Sequence, residues 1–182
     1  SASGASSSEF QYLNLAEISL LRKDVDLALE RIEMARILVE KEKLGIFWSR
    51  IFYLGGRCDE LQGKTEQALK KYTDAINATK NDSEKALAYN NIGLIYLRQT
   101  MYEEAMKNLL AAYQINKKLK LYDQLANNSY NLANCLQLQG KLQEALSYAF
   151  EALSCDKIGE SSMNILEDFR LSVSAANAKE CR

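Results

Sequence analysis

Proline and histidine are both missing from the 182 residues, there is one tryptophan, and four cysteines form no C-x-x-C pair. Each absence excludes something. Without histidine the commonest general base and the commonest zinc ligand are gone, and Cys58, Cys135, Cys155 and Cys181 are too scattered in sequence to replace it. No metal and no cofactor are expected. No glycine-rich phosphate loop is present, and no nucleophile stands beside a general base, so the chain does not read as an enzyme. Lys+Arg 23 against Asp+Glu 24 leaves a net charge of -1, which gives no field to gather nucleic acid or an anionic membrane. The apolar runs fall short of the roughly 18 residues a bilayer span needs, and no leader pattern precedes the first periodic segment. A cytoplasmic (intracellular) protein without membrane insertion is expected.

What is present is periodicity. Hydrophobic residues at 47% and charged residues at 26% suit a soluble globular chain with a sizeable core. Ala28, Ala68, Ala105 and Ala145 recur at spacings of 40, 37 and 40 residues. Each is followed four residues later by Ile32, Tyr72, Leu109 or Ala149, and seven later by Ala35, Ala75, Ala112 or Ala152. Both offsets lie on one helical face. Twelve residues before each alanine stands another small residue, Ala16, Gly56, Gly93 or Ala133. Two closely crossing helices need small residues at both crossing points. Without proline the helices are free to run on.

This pattern resembles the tetratricopeptide repeat family, a helix-turn-helix unit carrying W-x2-L-G-x2-Y, then A-x3-F, then P. The third copy fits best, with Tyr89, Ile92, Gly93, Tyr96, Ala105, Leu109 and Ala112 in place. The copies are longer than the family's 34 residues and lack its proline. They are similar to the stretched repeats of kinesin light chains, mitotic-spindle scaffolds and bacterial peptide-sensing regulators. The resemblance implies an all-α, right-handed superhelical solenoid of about nine helices.

Residues 1–10 read as an expression remnant without order, since 1–8 lack apolar periodicity and Glu9-Phe10 is a common cloning scar. Residues 11–158 hold the four repeats, at about 9–48, 49–85, 86–125 and 126–158. Helix pairs are predicted at 10–22 with 24–41, 45–62 with 64–80, 83–99 with 101–118, and 122–139 with 141–155. Gly63 and Gly140 open tight turns that need a left-handed backbone. Thr100 with Glu103 is expected to form a capping box, as is Asn81 with Glu84, and Asp24 is an expected N-cap. In 159–182, Ile165, Leu166, Phe169, Val173 and Ala176 predict a ninth helix, either a cap or the start of a truncated fifth repeat.

The resemblance places the first helix of each pair along a concave groove that holds a peptide or helix of a partner protein. The side opposite the core then supplies the site. In the second repeat it presents Arg50, Tyr53 and Arg57, a strip able to receive acidic groups or else to pair with nearby acids. In the third it presents Leu87, Asn90, Asn91, Leu94 and Arg98. In the fourth it presents Asn127, Tyr130, Asn131, Asn134 and Gln137. An asparagine offers a donor and an acceptor, which suits the backbone of an extended peptide; solvated surface amides are the alternative. The family's chaperone-binding members clamp a carboxylate with lysines, asparagines and an arginine. Asn91 matches that set, but Tyr53, Arg57, Asn127 and Asn131 do not, so chaperone tails are not expected. The expected function is a protein-interaction module. The alternatives are a peptide-sensing regulatory domain of a larger protein, or a scaffold that self-associates weakly through its terminal helices.

Overall fold

A computed structural model describes residues 8–155, all of whose long elements are helices. In chain order these are α1 (Ser8–Leu21), α2 (Val25–Glu42), α3 (Trp48–Leu61), α4 (Thr65–Asn77), α5 (Asp82–Arg98), α6 (Tyr102–Leu119), α7 (Tyr122–Leu138) and α8 (Leu142–Cys155), with one 3-10 turn (Gly45–Phe47) before α3. The four predicted hairpins form with boundaries shifted by a few residues. The expected ninth helix and Cys181 lie outside the described residues. Glu9, assigned by sequence to a disordered leader, is instead buried within α1, which also contains Phe10, the first residue of the predicted helix.

The chain divides into two compact units, one ending at Asn91 and the other beginning at Ile92. In the first, α1 packs on α2, α3 on α4, and α3 also touches α1 and α2. Leu13, Ala16, Leu20, Ala28, Ile32, Ala35, Val39, Ile51, Leu54 and Cys58 form its core, with Trp48 and Tyr53 packed against it. In the second, α7 packs on α6 and α8. Leu97, Ala105, Leu109, Leu132 and Cys135 form one cluster, and Ala133, Leu136, Ala145 and Ala149 another. All four repeat alanines are fully buried. On the facing helix the small residue has a direct reason: a Cβ added to Gly56 would stand 2.8 Å from Tyr72 Cε1.

One turn joins the two helices of every hairpin. Lys23, Gly63, Thr100 and Gly140 all have positive φ, at 60°, 74°, 60° and 76°. The amide after each returns to the carbonyl five residues back: Asp24 to Ser19, Lys64 to Asp59, Met101 to Tyr96 and Lys141 to Leu136, at 2.8–3.0 Å. This is the Schellman closure, and a left-handed residue is its requirement. The carbonyl of the next residue then accepts from the repeat alanine, as in Ala28 N–H to Asp24 O at 3.1 Å and Ala145 N–H to Lys141 O at 3.0 Å.

The expected capping box at Thr100 is therefore not what forms. Thr100 sits in the left-handed position, its hydroxyl donates to Gln99 O at 2.6 Å, and Met101 occupies the N-cap without a side-chain bond. Asp24 does cap α2, accepting from Leu27 N–H at 3.1 Å. Asn81 Oδ1 likewise accepts from Ser83 N–H at 3.0 Å, but the Asn81 amide goes to Thr79 Oγ1 and not back to Glu84. Because a left-handed threonine costs roughly 1–2 kcal/mol, Thr100→Gly is expected to gain about 0.5–1 kcal/mol net of chain entropy. Gly140→Ala is expected to lose about 1–2 kcal/mol. Urea midpoints of the two variants check both signs.

Repeat spacing follows the length of the second helix. α2 and α6 each have 18 residues and precede the 40-residue spacings, whereas α4 has 13 and precedes the 37-residue one. At 1.5 Å per residue the longer pair gains about 7 Å over α4. Both long helices stop at a left-handed lysine, Lys43 or Lys120.

Candidate functional site

In the first unit the first helices α1 and α3 and the start of α5 border a cleft of about 330 Å³. Its walls include Glu17, Arg50, Tyr53, Leu54, Glu84 and Leu87. Leu54 is core, while Leu87 is 43% exposed and offers an apolar lip. Arg50 is already engaged. It donates to Asn14 Oδ1 at 2.7 Å and Glu17 Oε2 at 2.8 Å, and its guanidinium lies 5.4 Å from the centre of the Phe10 ring. Of the strip expected to receive acidic groups, Arg50 thus meets a carboxylate of its own chain. Asp59, nearer in sequence than Glu17, instead pairs with Lys71 at 2.7 Å. Arg57 is half-buried beside Tyr53 and has no ion pair among the described residues.

Asn91 is half-buried, and its amide is engaged within this unit. Its Nδ2 donates to Tyr53 Oη at 3.3 Å and Tyr72 Oη at 3.2 Å, and Asn90 Nδ2 approaches its Oδ1 at 3.4 Å. Tyr72, fully buried, donates in turn to Glu60 Oε2 at 2.9 Å, and its ring lies 5.7 Å from that of Tyr53. Burial first, then the Glu60 carboxylate, keep the Tyr72 phenol protonated far above its ordinary range, and burial raises Tyr53 as well. Asn91 therefore orients two tyrosines, one of which lines the cleft.

In the second unit α7 is cleanly two-sided. Leu125, Asn128, Ser129, Leu132, Ala133, Cys135 and Leu136 are buried. Asn127 and Tyr130 are exposed, and Asn131, Asn134 and Gln137 are half-buried, so the stripe read from sequence is the side turned from the core. Asn127 and Asn134 make no side-chain hydrogen bond among the described residues; Asn131 is engaged. Leu94 is half-buried and packs against the core of this unit, while Arg98 is exposed and has an interaction of its own. At the other side of this unit, Tyr113 on α6 donates to Glu151 Oε2 of α8 at 2.6 Å and accepts from Lys117 Nζ at 2.6 Å.

Cys58 and Cys135 serve packing. Both are fully buried, and desolvation pushes the Cys58 thiol up to about 11 and raises that of Cys135. The thiolate, not the thiol, is alkylated, so native protein at pH 8 is expected to leave both unmodified by iodoacetamide for as long as it stays folded. Rapid modification of Cys58, read by mass spectrometry, would contradict this packing. Among the described residues no His/Cys/Asp/Glu group could hold a metal, and no helix is long and apolar enough to cross a membrane.

Asn14, Glu17 and Glu84 were not legible as site residues. Glu17 and Arg50 belong to different helices, and no spacing rule joins them; Glu84 looked like part of a cap.

Hairpins closed by one recurrent turn, crossing at alanine and glycine and leaving a polar first-helix side uncovered, define a helical-repeat protein of the kind built for protein contacts. Residues 84–157 match the tetratricopeptide repeat family, and the same hairpin recurs from α1 onward. Human cilia- and flagella-associated protein 70 is 26% identical over 164 residues; the match covers 86% of this chain but spans only 14% of that protein. The apo form of RapI is similar with a TM-score of 0.75 at 14% identity, covering 96% of this chain and 64% of RapI. A chain of the APC/C hetero-tetramer Cut9–Hcn1 gives a TM-score of 0.73 at 16% identity, covering 88% of this chain and 29% of that one. At such identities the two structures share the fold alone.

Proposed function

We propose that this chain is a protein-interaction module that holds an extended segment or helix of a partner protein against its first-helix faces, and that it acts by binding rather than catalysis. The cleft in the first unit carries this reading: three first helices meet there around an exposed leucine, a tyrosine and carboxylates. That mixture of an apolar anchor and a few placed polar groups is what peptide grooves use. The α7 side supports it independently, with Asn127, Asn134 and a 40%-exposed Tyr130 on one stripe. Polar contacts contribute about 0.5–1.5 kcal/mol each and ordering a flexible segment costs several, so apolar contact must come from Leu87 and Tyr53 where the first unit binds and from Tyr130 where the second does. Micromolar affinity follows, near -8 kcal/mol.

Capture of binding proteins from a cell lysate tests the reading when run with face variants. Leu87→Asp, or Tyr130→Ser combined with Asn134→Ala, is expected to lose the captured partner, while Lys70→Ala on exposed α4 surface keeps it. Retention by every first-helix variant would place the contact elsewhere. Asn91→Ala is a poor probe, since it also removes the donor to the Tyr53 and Tyr72 hydroxyls.

A further inference from the structure

We infer that the cleft between α1, α3 and the start of α5 takes a cationic side chain, a lysine or arginine of the bound segment, rather than an acidic or purely apolar one. This rests on the proposed binding role and specifies the partner's chemistry. Three charged groups line the cleft: Glu17, Arg50 and Glu84. Arg50 is neutralised by Glu17 and held in place by Asn14 and Phe10, so the remaining charge is that of Glu84. Glu84 Oε2 is buried and has no hydrogen-bond partner among the described residues. A buried carboxylate oxygen without a donor is costly, and a donor bearing positive charge offsets that cost best. The neighbouring surface suits the rest of such a residue. Leu87, Leu54 and Tyr53 provide an apolar wall for the methylene stem while the charged head reaches the carboxylate. An incoming carboxylate meets the opposite situation, because the nearest cation already has its anion.

The test is selection from a random dodecapeptide display library on the whole chain, with Glu84→Gln and Leu87→Asp as counter-targets and circular dichroism confirming that both variants fold. The expected result is enrichment of peptides with one fixed lysine or arginine. They should bind Glu84→Gln about ten-fold or more weakly, the scale of a hydrogen bond to a charged group. A lysine-to-norleucine or arginine-to-norleucine change in the peptide should cause a similar loss, and the two changes together should not add. Peptides that need Leu87 but carry no basic residue, or ignore Glu84→Gln, would overturn the cationic preference and leave the binding role standing. Peptides indifferent to both variants would overturn the cleft as a site altogether.

Discussion

Gly93→Ala lowers the stability of the protein by about 1–3 kcal/mol, the scale of an overpacked core, even though alanine is the better helix former by about 1 kcal/mol. The new Cβ would stand 2.7 Å from Leu109 Cγ, 2.8 Å from Cδ2 and 3.2 Å from the Leu109 backbone nitrogen. The side-chain atoms could swing aside; the backbone nitrogen cannot, because α6 is fixed by the burial of Ala105 and Ala112 on the same face. Gly55→Ala is the internal control. Its Cβ meets the flexible Lys71 side chain at 3.2 Å, so propensity wins and the variant is neutral or slightly more stable. Truncating Leu109 to alanine costs about 2–5 kcal/mol alone, but less on the Gly93→Ala background. Chemical denaturation of the four species gives the cycle, and strict additivity would show that Gly93 is not closely packed on Leu109.

Asn128→Ala costs about 2–3 kcal/mol, because it strands a buried donor. Asn116 on α6 and Asn128 on α7 are 3% and 2% exposed, and Asn116 Nδ2 donates to Asn128 Oδ1. Asn116 Oδ1 is also buried and has no partner among the described residues. The two halves of the pair are therefore unequal. Asn116→Ala removes an oxygen that is already unsatisfied together with the donor, and is expected to be the milder change. Urea midpoints read the order, and a larger loss for Asn116→Ala would contradict the bonding. The pair fixes the register of α6 on α7, since sliding either helix by one residue would bury both amides without each other.

The hairpins were legible because their signal is steric and local: a crossing tolerates only alanine or glycine, so the small residues recur wherever helices cross. The turns were half legible. Gly63 and Gly140 announce a left-handed residue, while Lys23 and Thr100 adopt the same φ with side chains that carry no such mark. At Thr100 this hid the true turn behind the appearance of a capping box. The exposed stripe of α7 followed from its core side by helical geometry. The cleft did not. Arg50 is neutralised by Glu17 across 33 residues, and Asn91 is drawn to two tyrosine hydroxyls on α3 and α4, both consequences of packing between helices.

The inner bend of all four hairpins is one mould. Because the same bonds close at Lys23, Gly63, Thr100 and Gly140, a cut made at that residue in one hairpin can be joined to the matching residue of another without changing the backbone path. Unequal crossing-over between such sites would lengthen or shorten the array by whole modules while leaving every join intact. A gene of this form can thus change how many modules it encodes without inventing a new corner.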